Sequence, residues 1–92
     1  MLWWWEQQLK DTSRVERSGY QVYAILSMCR VLYTLEFGTV VSKPAAARWA
    51  QGTLDERWGR LIERAVTWQA GETMDRLSET LEFIRYSLAH SH

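Results

Sequence analysis

The stretch LDERWGRLIERAV, residues 54–66, sets Leu54, Trp58, Leu61, Ile62, Ala65 and Val66 at successive spacings of 4, 3, 1, 3 and 1. Those intervals trace one face of a helix with 3.6 residues per turn. Thr53 ahead of it, with Glu56 three residues on, has the pattern of a capping box, so the helix is expected to open at Thr53 and to stop at Gly71. Downstream, Met74, Leu77, Leu81, Ile84 and Leu88 fall at 3, 4, 3 and 4. This a/d seam predicts a further helix from Glu72 or Thr73 onward. Two heptads are too short for a dimeric coiled coil, so the seam reads as core packing.

Upstream, the chain is helical as well. Leu2–Lys10 reads as a first helix, closed by the polar run Asp11-Thr12-Ser13. A second runs from Val15 or Ser18 to Phe37, with Gly38 as its stop. An extended link, Thr39–Val41, leads to a third helix capped by Ser42, with Pro44 in its first turn and an end at Gly52. The expected fold is all-α, a compact bundle of about five helices in one domain over residues 1–92. Residues 1–14 form a Trp-rich helix and link, and 15–92 the bundle. Its core is expected to include Leu26, Leu32, Trp49, Leu61, Ile62, Leu77, Leu81 and Ile84.

Composition narrows the function. Eleven Lys+Arg cancel eleven Asp+Glu, so the chain lacks the positive field that non-specific nucleic-acid binding requires. The single cysteine, Cys29, excludes an internal disulfide and reads as core packing on a buried helix. Both histidines, His90 and His92, lie at the extreme C-terminus, away from any core metal site. No D-x-D pair offers ligands for two-metal chemistry, and no Gly-rich phosphate loop is present. The N-terminus has no basic region ahead of an apolar run, and the longest apolar stretch carries Arg30 near its middle. No membrane span is expected, and the location expected is cytoplasmic. The anomaly is aromatic: six Trp, of which Trp3, Trp4 and Trp5 are consecutive. Neighbours on a helix point about 100° apart, so at least one should be exposed or meet a partner.

The second helix is apolar nearly all round, yet Tyr20, Tyr23, Ser27, Arg30 and Thr34 fall in one sector about 80° wide. A polar stripe on a buried helix faces either an internal network or a ligand cleft. Arg30, permanently charged, needs an anion. That anion is either a carboxylate such as Glu63, Asp75 or Glu79, or a ligand. Lys43 sits at a helix start, where the dipole disfavours a cation and a phosphate is welcome. The alternative there is an ordinary exposed lysine on a capped turn.

The motif L-x-x-C-R-x-x-Y over Leu26–Tyr33, then Gly38, then S-K-x-x-A-A-x-W-A over Ser42–Ala50 resembles the C-terminal helical domain of aminoglycoside adenylyltransferases of the streptomycin/spectinomycin type. The resemblance extends over Tyr20–Leu88. It implies an antibiotic-resistance chemistry in which a separate nucleotidyltransferase domain supplies the metal ligands and the catalytic carboxylate. ATP, Mg and drug then bind in the cleft between the two domains. It implies that Arg30 and Lys43, with Ser42 beside them, contact the nucleotide phosphates. Positions facing substrate would be Glu16, Tyr20, Tyr23, Ser27, Trp68 and Gln69. Tyr20 stands where the family carries a second acidic residue, and Gln69 where it carries a tyrosine.

These 92 residues contain no nucleotidyltransferase motif, so no catalytic residue, no metal ligand and no cofactor binding of its own beyond weak polyphosphate binding are expected. The expected partner is a nucleotidyltransferase domain or subunit, with the Trp-rich N-terminus as a further contact surface, including for a homodimer. Two other readings stand beside this one. One is a small helical interaction or antitoxin-like protein without a site. The other is a ribonuclease of the HEPN type, from the R-x4-H spacing of Arg85 and His90.

Overall fold

The structure, a computed structural model, describes residues 2–90. His92 therefore lies outside the described residues. Five helices are formed among them: α1 (Leu2–Lys10), α2 (Ser18–Phe37), α3 (Lys43–Thr53), α4 (Glu56–Val66) and α5 (Leu77–Ala89). The described chain is 72% helical, with no strand. Its radius of gyration is 12.1 Å, which is that of a close-packed chain of this length.

The longest helix, α2, is the hub. It contacts α3, α4 and α5, and Ala24, Ile25, Met28 and Cys29 on it are wholly buried. α1 packs across α5 and sends Trp5 toward α2, against Tyr20 and Tyr23. The Trp triplet splits as helix geometry demands: Trp3 is exposed, Trp4 half-buried and Trp5 buried. Gly38 ends α2 with φ 71°, a left-handed conformation that costs glycine nothing. The Ser42 hydroxyl then caps α3, accepting the Ala45 amide at 3.3 Å, with Pro44 in the first turn. The alanines Ala46, Ala47 and Ala50 are fully buried. Their small side chains let α3 lie close to its neighbours.

Three expected boundaries are corrected. First, α3 runs through Thr53, and the Leu54 amide donates to Ala50. Thr53 is thus helical and cannot act as a cap, and α4 opens two residues later, after Asp55. Second, α4 stops at Val66 rather than Gly71. The Thr67 hydroxyl donates to the Glu63 carbonyl, and the Trp68 indole donates to the Glu72 carbonyl at 3.0 Å. Gly71, with φ 99°, is the left-handed residue of the turn closed by Glu72 N–H to Gln69 O. Third, α5 begins at Leu77, because the segment before it is held in a non-helical path against α2. Ser18 Oγ accepts the Met74 amide at 2.9 Å, and Gln21 Oε1 accepts the Arg76 amide at 3.2 Å. Those bonds satisfy the backbone there without a helix.

The expected core is half right. Leu32, Leu61, Ile62 and Ile84 are buried, whereas Leu26, Trp49, Leu77 and Leu81 are only partly so. On α5 the buried arc is Thr80, Phe83, Ile84, Ser87 and Leu88, which leaves Leu77 and Leu81 on its shoulder. Thr80 and Ser87 are tolerated inside because each hydroxyl donates to the carbonyl four residues back.

Cys29 is buried in α2, and burial pushes its thiol up from 9.0 to about 12. A folded-state value above the unfolded one favours the native state at every pH below 9, and that advantage disappears as pH rises through 12. Iodoacetamide at pH 8 is therefore expected to label Cys29 only on unfolding, in step with the loss of circular dichroism. Rapid labelling of the native protein would show the thiol to be accessible.

Candidate functional site

Of the polar stripe on α2, Tyr23, Ser27, Arg30 and Thr34 line one cavity of about 820 Å³. Lys43, from the first turn of α3, reaches the same cavity. The route from Arg30 to Lys43 explains why. α2 ends two turns after Arg30, Gly38 reverses the chain, and the short link returns α3 along α2. The two cations, thirteen positions apart, therefore face a common space. Trp4 and Trp5 of α1 close one side, and Val31, Leu35 and Val40 line the apolar remainder. The volume falls within the range of small-molecule sites.

Two electrostatic features define this space. Among the described residues no Asp or Glu lines it. Nor is Arg30 locked to a carboxylate: it makes no ion pair among the described residues. Of the candidate partners, Glu63 accepts from the Gln51 amide at 2.7 Å, and Glu79 pairs with Arg76 at 3.6 Å. The structural pairing left open by the sequence is thus not formed. Lys43 lies with Nζ 4.3 Å from the centroid of the Tyr23 ring, a cation–π contact that leaves its charge unneutralised.

The other candidate residues lie elsewhere. The Ser42 hydroxyl is engaged in capping α3. Tyr20 stands behind Tyr23, ring to ring at 5.3 Å. Glu16 is exposed in the turn before α2, and its carboxylate accepts from Thr12. Trp68 lies over Gly19, and Gln69 belongs to the turn closed by Glu72. The structure does not bring Glu16, Trp68 or Gln69 to the cavity. Arg85 and His90 do not meet on one face: five positions on a helix turn through about 140°. The His90 ring instead packs on Tyr86 at 4.3 Å. The residues that sequence reasoning missed are Trp4, Trp5, Val31, Leu35 and Val40. Only the Trp4 and Trp5 positions carried a signal, in the aromatic triplet.

Among the described residues no helix is long and apolar enough to cross a membrane. Nor do three His, Cys, Asp or Glu side chains gather there into a metal site. Compared with known proteins, the chain matches the family model described as the C-terminal domain of aminoglycoside adenylyltransferase, over residues 5–91. That match includes most of α1. No curated protein and no solved structure matches the chain.

Proposed function

The chain belongs to the family of aminoglycoside adenylyltransferase C-terminal domains, and from that membership we propose that its cavity is a phosphate-binding half-site. A nucleotidyltransferase domain outside these 92 residues would complete the cleft and bring the Mg that accompanies ATP. The observation that carries this reading is the convergence of Arg30 and Lys43 on one cavity without a carboxylate. Arg30 presents a planar fork suited to two phosphate oxygens, and Lys43 a compact point charge. The first turn of α3, its Ala45 amide taken by the Ser42 cap and Pro44 without an N–H, adds the partial positive charge of a helix start. Leu35, Phe37 and Val40, exposed at this end of α2 and in the link, give the partner domain an apolar surface to cover.

The same charge pattern bears on the drug. An aminoglycoside is a polycation, and a cavity with two cations and no anion repels it. With Glu16 remote, substrate recognition would fall to the partner domain and to residues outside this cavity. The domain is thereby a nucleotide-side contributor rather than a drug receptor.

Alone, the half-site is open to water and screened. Tripolyphosphate should bind at roughly millimolar, about 4 kcal/mol, and more weakly as salt rises from about 10 mM to about 200 mM. A ³¹P NMR titration reads this directly. Arg30→Ala and Lys43→Ala should each weaken binding, and the pair should abolish it. Undiminished binding by the double variant would overturn the assignment.

A further inference from the structure

We infer that Tyr23 is a positioning residue: its ring, held by Trp5 and Tyr20, fixes the Lys43 ammonium at the cavity for an anionic ligand. The inference rests on the phosphate reading above and assigns a role to α1 that the reading does not need. Tyr23 is 43% exposed, yet its ring is not loose. Tyr20 meets it edge-on at 5.3 Å, and Trp5 lies against it at 5.8 Å. Trp5 is itself buried, at 3% exposure. Lys43 Nζ then sits 4.3 Å above the ring. A contiguous aromatic path thus leads from α1 through Trp5 and Tyr23 to the first turn of α3.

The chemistry of the contact decides what it is for. A lysine at the start of a helix is repelled by the dipole. A carboxylate beside it would relieve that repulsion but would also cancel the charge a phosphate needs. An aromatic face attracts the ammonium through its quadrupole and accepts no hydrogen bond in the plane. The N–H donors that point away from the ring and the full positive charge remain available to a ligand. A free lysine carries a long stem whose freedom is lost on binding. One already seated on a ring loses less. Tyr23 therefore orients Lys43 without neutralising it.

Two readouts separate this role from the phosphate reading itself. The first needs no ligand. In ¹H–¹³C spectra the Lys43 ε-methylene should lie upfield of ordinary lysines through the ring current of Tyr23. Tyr23→Phe should retain that shift and Tyr23→Leu should lose it. The second is the tripolyphosphate dissociation constant. Wild type and Tyr23→Phe should bind alike, whereas Tyr23→Leu should bind roughly 2- to 10-fold more weakly. Lys43→Ala should then cost less in the Tyr23→Leu background than in wild type, because the two residues act through one another. Circular dichroism of each variant checks that the fold is kept. If Tyr23→Leu loses the ring-current shift yet binds tripolyphosphate like wild type, the positioning role is wrong while the phosphate site stands. If wild type shows the shift but binds no tripolyphosphate, the phosphate reading fails and takes the ligand role of Tyr23 with it.

Discussion

Replacing Phe83 with alanine is expected to lower the unfolding free energy by about 3–5 kcal/mol. Phe83 is fully buried on α5 and is the largest such side chain in the core. Its ring packs against Trp58 of α4 at 5.1 Å and lies 6.3 Å from Tyr86. Truncation would remove the transfer free energy of the ring and leave a cavity between two helices. Neither backbone can readily collapse into it, because the segment before α5 is pinned to α2 by Ser18 and Gln21. A domain of this size has on the order of 5–10 kcal/mol in all, so the variant should be close to unfolding at 37 °C. Urea denaturation gives the number. A cost below about 1 kcal/mol would mean that the α4–α5 contact is not part of the cooperative core.

The second large effect falls on α1. Trp5→Ala is expected to cost about 3 kcal/mol or more, and to do so unevenly. A nine-residue helix is marginal in water, so α1 is held by docking, and Trp5 is its one wholly buried aromatic residue. Hydrogen exchange should show α1 amides losing protection while α2–α5 keep theirs. The cavity would lose a wall and the Tyr23 ring its support. Uniform protection across all five helices in the variant would contradict this picture.

Helices were legible wherever local chemistry decided them. Ser42, Pro44 and Gly38 act within a turn or two of themselves, so the ends facing the link between α2 and α3 were readable in advance. The α4 end and the α5 start were not. The α4 end is set by the Thr67 hydroxyl and the Trp68 indole, which no hydrophobic period shows, and the α5 start by bonds from Ser18 and Gln21, more than fifty residues away in sequence. The seam on α5 misled in a related way: Leu77 and Leu81 share a face with Ile84, but Thr80 and Ser87 were buried instead, their hydroxyls absorbed by their own helix. Polar residues satisfied in this manner are invisible to a hydrophobic period.

The site divides along the same line. The stripe on α2 is an intrahelical pattern, and four of its five members do share the cavity. Lys43 stood out because a helix start disfavours a cation, which is also local reasoning. The aromatic triplet signalled a contact surface, but the wall that Trp4 and Trp5 form could not be placed, since it depends on where α1 docks. Glu16, Trp68 and Gln69 lie in turns outside the helices, closed by local bonds to Thr12 and Glu72, and spacing from Arg30 did not locate them.

The central claim is that Arg30 and Lys43 form one anion site at the start of α3. Its most direct test is a map of NMR shifts in the wild-type protein titrated with ATP or tripolyphosphate at low ionic strength. The predicted shifts centre on the Arg30 side chain and on the amides of residues 42, 43, 45 and 46, and they vanish in Lys43→Ala. Shifts that are largest elsewhere on the surface, or that survive that substitution, would contradict the account.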